Sequence, residues 1–303
     1  MITVIKRNGV REEFNSGKLL NSLKLAGVPN PERILEEFTN QIKGKGEVTS
    51  SEISDSVQLM MLNLISEDFK WHDAARNYLL FSIYKQVWGK EVVKSINSGS
   101  LTLSEAYRRG FRDWFNQGLN QGLWSPEAAK FYEKHLDELM NQLDPSRDLL
   151  LTYNGVRTLM SRYLMKRLDG SFFETPQYMW MRIAMGVAYS EVKYGNDPIN
   201  WVKEFYDLIS QLRFLPNSPT MFNSLTKLGE LSACFVIPVD DCLSKDSNKD
   251  NPNCFFGIMD AAKLAALLFQ AGAGVGYQFG ELRPEGDVVK STSGVASGPL
   301  SFM

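Results

Sequence analysis

The sequence predicts an α/β protein, mainly helical behind a small β-hairpin at its start and alternating strand with helix toward its end, and three observations predict it. Two short runs with β-branched residues, 2–6 and 10–14, flank Arg7-Asn8-Gly9, and Asn-Gly is a strong hairpin signal because both turn residues tolerate φ > 0. Helical stretches follow at about 16–26, 31–43, 51–65 and 72–94. Farther on, an apolar run at 234–238 precedes a long apolar stretch at 255–270, which passes through glycines into another strand.

Each element has a local cause. The first helix ends at Gly27, and the second opens with Pro31 in its first turn, where a missing N–H costs nothing. Thr49-Ser50-Ser51-Glu52 is a capping box at the head of the third. Segment 93–147 reads as further helix, broken at Gly99, around Gly118 and Gly122, and at Asp144-Pro145; it is a connector between a unit ending near 92 and one beginning at 148. From 148 the chain is richer in apolar and aromatic residues, with helices expected over 153–168 and 176–194 and a turn at Asn217-Ser218-Pro219. Residues 234–238 read as a buried strand and 240–253 as a polar loop carrying Lys245, Asp246, Lys249 and Asp250. Residues 255–270 are apolar almost all round and read as an interior helix.

Composition narrows the function classes. In 303 residues, 33 Lys+Arg stand against 35 Asp+Glu, and 44% of the chain is apolar, enough for real cores and against disorder, collagen or a strongly basic nucleic-acid binder. The apolar run at 261–269 is far short of the ~20 residues that span a bilayer, and MITVIKRNG lacks the apolar stretch of a signal peptide. A cytoplasmic protein with no nucleic-acid or membrane partner is expected. Cys234, Cys242 and Cys254 are too few for a disulfide framework and are expected as thiols in a reducing compartment. His72 and His135 have no metal-ligand spacing, so no metal site is expected.

Three features carry chemistry. Lys6, Arg7 and Lys18 cluster around a hairpin and the helix start that follows it, a pattern suited to a polyphosphate. Gly272, Gly274 and Gly276 superficially suggest a phosphate loop, but the order is helix, glycines, strand, the reverse of a dinucleotide fingerprint; close backbone approach to another planar ligand stays open. Cys234 lies in an apolar strand, where a cysteine is ordinarily a packed core residue; its surroundings single it out.

Residues 1–92 resemble an ATP-cone, the allosteric nucleotide module at the start of many ribonucleotide reductase large subunits. The matching residues are VIKRNG at 4–9, Glu12, Asn15, Lys18, TSSEIS at 49–54 and Trp88-Gly89. Beyond the connector, ETPQ at 174–177, MRIA at 181–184, FLPNSPT at 214–220, LSACFV at 231–236, GVG at 274–276, LRP at 282–284 and KSTSGVASGPLSFM at 290–303 resemble successive catalytic-domain blocks of that family. The wording is most similar to the adenosylcobalamin-dependent class II branch, with the di-iron-dependent branch as the alternative.

The resemblance implies a helical region followed by the first part of a ten-stranded α/β barrel. It implies ribonucleotide reduction by a thiyl radical, which takes the 3′-hydrogen; the 2′-hydroxyl leaves as water, and a cysteine pair becomes a disulfide. Cys234 matches the N-terminal member of that pair. Ser218, Thr220, Ser232 and Ala233 would hold substrate phosphates and ribose, with Ala273 and Gly274 against the base. Val4, Lys6, Arg7, Glu12, Asn15 and Lys18 would hold ATP or dATP, with Ser54 where some cones carry a histidine. Asn253 occupies the position of an aspartate that begins the specificity-effector site, and Arg283 that of an arginine on the effector phosphates. Cys242 and Cys254 match no reductive role. Implied partners are a ribonucleotide, dNTP effectors, thioredoxin or glutaredoxin, and a homo-oligomeric assembly when complete. The family's radical cysteine and second reductive cysteine lie beyond the block ending at Met303, so activity is expected only with a C-terminal reductase polypeptide. A non-catalytic ATP/dATP-binding regulator or an inactive fragment are the alternatives.

Overall fold

The computed structural model describes residues 2–6, 9–246, 254–289 and 293–303. Arg7 and Asn253, both expected site residues, lie outside the described residues, as do Asn8 of the hairpin and Lys249 and Asp250 of the polar loop. The chain divides into unit 1, Met1–Leu215 with Leu225–Lys227, and unit 2, Pro216–Ser224 with Leu228–Met303. No helix of the described residues is long and apolar enough to cross a membrane.

Unit 1 opens with the expected hairpin: β1 (Thr3–Ile5) pairs antiparallel with β2 (Arg11–Glu13), Val4 opposite Glu12. Helix α1 (Ser16–Leu25) is capped by Asn15, whose Oδ1 accepts from the Lys18 N–H at 2.9 Å, and α2 (Pro31–Gln41) opens on its proline. A third strand, β3 (Glu47–Thr49), lies parallel to β1 with Val48 opposite Val4; three residues ahead of a capping box gave no strand signal. That capping box starts α3 (Ser50–Asn63).

The helix expected over 72–94 is two helices, α4 (Lys70–Trp88) and α5 (Lys90–Asn97). Gly89 separates them at φ +89°, a left-handed conformation that glycine adopts without a Cβ clash. Conversely, α6 (Leu103–Asn120) runs through Gly118, where a break was expected, and stops before Gly122 at φ +63°. The reason is packing: a Cβ at Gly118 would fall inside the Trp124 indole, and one at Gly110 would come within 2.7 Å of Trp88 Nε1, so both glycines let indoles lie on the helix.

Helices α7 (Pro126–Tyr132), α8 (Leu136–Asn141) and α9 (Tyr153–Thr158) follow. A π-turn at Leu159–Tyr163 ends the stretch expected to run to 168. The helix expected over 176–194 is α10 (Pro176–Ala188) with a 3₁₀ tail, Tyr189–Tyr194. It packs against α11 (Pro198–Ser210), which the sequence reading did not anticipate.

The core of unit 1 is aromatic, with Tyr107, Phe111, Phe115, Trp124, Tyr178 and Trp180 fully buried. Polar groups inside it are paired. Arg182 and Glu174, both fully buried, form a two-pronged ion pair at 2.9 Å through Nε and Nη2. Asp148 accepts from the Tyr84 and Tyr107 hydroxyls at 2.5 Å and from Gln177 Nε2 at 2.7 Å, joining α4, α6 and α10. The blocks ETPQ and MRIA thus supply the buried pair and Gln177, an interior scaffold.

Unit 2 begins with α12 (Ser218–Asn223), a short helix where a turn was expected; Asn217 caps it, accepting from the Thr220 N–H at 2.9 Å. Strand β4 (Cys234–Pro238) pairs in parallel with β5 (Gly274–Gln278), Cys234 opposite Gly274 and Pro238 opposite Gln278. Helix α13 (Ile258–Gln270) connects them, and β6 (Val288–Val289) with β7 (Gly294–Val295) forms a separate antiparallel pair. The core is small: Ile237, Val239, Ala261, Ala265 and Leu282, with Phe256, Ile258, Leu268, Val275 and Phe279 against them.

Three expectations are corrected here. β4 is not a buried strand, since only Ile237 of its five residues is buried. α13 is not an interior helix: Met259, Leu267 and Phe269 are more than half exposed. The common cause is that α13 covers one face of a two-stranded sheet, and within the described residues of unit 2 neither outer face is covered. Cys242 and Cys254 are not free thiols but a disulfide. Asp240 Oδ2 accepts from the Phe255 and Phe256 N–H groups at 2.7 and 2.8 Å, and the Ile258 N–H reaches Cys242 O at 3.0 Å, which returns the chain to position 242.

Candidate functional site

The hairpin and α1 form one wall of a cavity of about 450 Å³ in unit 1, and the ends of α4 and α5 supply another. Val4, Lys6, Glu12, Asn15 and Lys18 all line it, so the structure brings together every described member of the expected set. Glu12, on β2, receives Lys6 Nζ at 2.7 Å and Lys18 Nζ at 3.3 Å. The hydrogen bond from Lys6 is the main reason its carboxyl lies below the usual range. Asn15 spends its side-chain oxygen on capping α1.

Sequence reading missed two cations of this pocket. Lys85, in the last turn of α4, and Lys90, the first residue of α5, line it as well. Burial holds the Lys85 ammonium below the usual lysine range, and Lys90, Lys6 and Lys18 push the same way. Four lysines around one carboxylate leave a surplus of positive charge that a polyphosphate would neutralise. The available signal was the spacing Lys85, Gly89, Lys90 around a helix break. Tyr78 and Ile53 supply the less polar end, and Ser54, beside it, is taken up by Gln58 Nε2 at 2.9 Å and by Tyr78.

In unit 2, Cys234 is a free, exposed cysteine at the head of β4. The parallel register sets it opposite Gly274, and a Cβ on Gly274 would stand 3.5 Å from the Cys234 sulfur. The glycine turn and the thiol therefore meet, with the Gly274 N–H donating to Ala233 O at 2.7 Å. Ser232 is exposed beside them, while Ala273 is buried. The Thr220 hydroxyl is engaged internally, 2.9 Å from Leu231 O and 2.8 Å from Asn217 Oδ1, so it fastens α12 to the chain leading into β4.

Arg283 does not stand free: its Nε donates to Asp241 at 2.8 and 3.1 Å, at the wall of a cavity of about 270 Å³ that also includes Cys242. Asp241, which sequence reading passed over, is its partner. Among the described residues, no group of three or more His, Cys, Asp or Glu could hold a metal ion.

A lysine-lined pocket followed by a helical body and a strand-borne thiol make up the candidate sites, and comparison with known proteins gives the family. Residues 2–85 match the ATP cone domain, 149–229 the ribonucleotide reductase all-alpha domain, and 232–303 the ribonucleotide reductase barrel domain. The chain belongs to the ribonucleotide reductase large-subunit family. It is 28% identical, over 99% of its length, to a vitamin B12-dependent ribonucleoside-diphosphate reductase of Thermoplasma acidophilum, and 40% identical, over 52%, to a protein of that name from Mycobacterium tuberculosis. It is 33% identical, over 76%, to the ribonucleoside-diphosphate reductase subunit alpha of Chlamydia muridarum. The chain spans 40%, 21% and 19% of the lengths of these three relatives.

Proposed function

We propose that this chain is the nucleotide-regulated part of a ribonucleotide reductase and carries one of its two reducing thiols, Cys234. The observation that carries this reading is the position of that sulfur: exposed, on a strand rather than a loop, and against the glycine of a parallel neighbour. A thiol fixed this way reaches a bound sugar with little reorganisation, and the bare backbone at Gly274 leaves room for a flat base. Two thiols then yield two hydrogen atoms and join as a disulfide while the ribose loses its 2′-oxygen as water; thioredoxin or glutaredoxin returns the thiols by exchange. The second cysteine belongs, in this reading, to a C-terminal reductase polypeptide.

The names of the relatives favour a ribonucleoside diphosphate as substrate and adenosylcobalamin as the radical source; a di-iron partner subunit finds no support among them. Adenosylcobalamin supplies the radical when bound. The unit 2 cavity described above, about 270 Å³, does not fit a corrinoid, so no step is assigned to this chain's residues through it. The cone pocket does fit ATP or dATP: Lys6, Lys18, Lys85 and Lys90 hold the phosphates, and the Tyr78 end takes the base. Arg283, steadied by Asp241, is the effector-phosphate residue, and Ser218 and Ser232 face the substrate in this reading.

The test mixes the chain with a C-terminal polypeptide carrying the remaining barrel blocks, adenosylcobalamin and a thioredoxin system. Deoxyribonucleotide should form only when both polypeptides are present, and Cys234→Ser should abolish thioredoxin-dependent turnover. Unchanged turnover in Cys234→Ser would overturn the assignment.

A further inference from the structure

Unit 1 holds a second cavity, about 270 Å³, that shares no lining residue with the cone pocket. We propose that it is a binding site for a flat aromatic ring bearing one anionic group.

The sequence builds its mouth simply. Arg109, Asp113 and Gln117 stand at i, i+4 and i+8 along α6, so they form one exposed stripe. Behind them lie two indoles, Trp88 at the end of α4 and Trp114 of α6. Gly110, which also lines the cavity, has no side chain to fill the space: a Cβ there would press on Trp88 Nε1 and the Tyr178 hydroxyl, each at 2.7 Å. The flat walls suit ring stacking, and the volume admits one ring system with its substituent.

Polar groups of the cavity are under-used. The Trp114 ring is buried, and its Nε1–H has no acceptor among the described residues. Arg167 is half-buried and spends its Nη1 on the Phe172 and Gln86 carbonyls and the Ser171 hydroxyl. Neither Arg167 nor Arg109 has a carboxylate within 4.0 Å among the described residues. Among the lining residues two guanidinium groups stand with Asp113, with Glu105 acting on Arg109 and Asp169 on Arg167 from outside the lining; guanidinium matches carboxylate or phosphate oxygens with two parallel hydrogen bonds. The ring belongs against the half-buried Trp88 indole and the anion beside the arginines.

The test is calorimetric titration of the full chain, with ATP at saturation to occupy the cone pocket, using benzoate, AMP and inorganic phosphate as probes. A ring-bearing probe should bind more tightly than phosphate; benzoate above AMP marks an aromatic acid as the natural ligand, and the reverse marks a nucleoside monophosphate. Arg109→Glu, at an exposed position, should weaken binding by about tenfold or more, the value of a charge-assisted hydrogen bond. No heat from benzoate or AMP at millimolar concentration, phosphate binding as tightly as both, or an affinity untouched by Arg109→Glu would each overturn the proposal.

Discussion

The two units solve the same problem unequally. Unit 1 buries aromatic rings against each other from several helices and satisfies its interior carboxylates, Asp148 and Glu174, with hydroxyl, amide and guanidinium donors. Unit 2 gathers a core cluster of only five buried residues, two of them on α13, and leaves Val236, Phe255, Leu267 and Leu300 exposed. The difference teaches where each candidate site stands. The lysine-lined pocket is built from elements of unit 1 alone, while the thiol strand presents an uncovered sheet face.

The largest test of that contrast is the buried ion pair. Arg182→Ala leaves the Glu174 carboxylate without its partner in a sealed core and should cost unit 1 about 3–5 kcal/mol in urea unfolding followed by tryptophan fluorescence. A cost below about 1 kcal/mol would mean that the unit 1 interior is not closed to water.

Next comes pH. Burial pushes the Asp148 carboxyl up from 3.8 to about 6, the tyrosine and glutamine hydrogen bonds opposing it. The folded state therefore holds this proton more tightly than the unfolded chain. Its contribution to stability is present below 3.8 and is lost as the pH rises to about 6, by roughly 3 kcal/mol in all. Unit 1 unfolding measured against pH should show this fall superimposed on other titrations, and Asp148→Asn should remove it.

Unit 2, with its small core, should lean on its disulfide. Cys254→Ser opens a loop spanning 12 positions and should lower unit 2 stability by about 2–3 kcal/mol, with unit 1 unmoved. Native-state hydrogen exchange resolves the two units in one sample. Lys85→Ala should weaken ATP binding by about tenfold in calorimetry, since it removes a half-buried charge from the phosphate end. The smallest effect is Thr102→Ala, which breaks the α6 capping box and should cost about 1 kcal/mol.

What the sequence disclosed, it disclosed through local chemistry. The Asn-Gly hairpin, Pro31, the Thr49 capping box and the strand at 234–238 were all legible because each is set by neighbours in the chain. What it concealed depends on distant partners. Strand β3 exists because β1 offers an edge, Gly118 stays helical because Trp124 lies on it, and the disulfide forms because Asp240 draws residues 255 and 256 back. In the cone pocket, the residues on the hairpin and α1 were readable together, whereas Lys85 and Lys90 enter from helices some seventy residues away. Asp241 went unnoticed for a similar reason: its role comes from Arg283, across the sheet connection.

One bend has a consequence for counting charge. Gly89 turns the chain between Lys85 and Lys90, so the two ammonium groups reach the pocket from different helix axes, not stacked on a single one. The angle at that residue fixes how far apart they sit, and with it how long a string of phosphoryl groups can bridge them. A side chain at position 89 would strain the left-handed backbone and respace that gauge, which on the proposed reading alters discrimination between short and long phosphate tails.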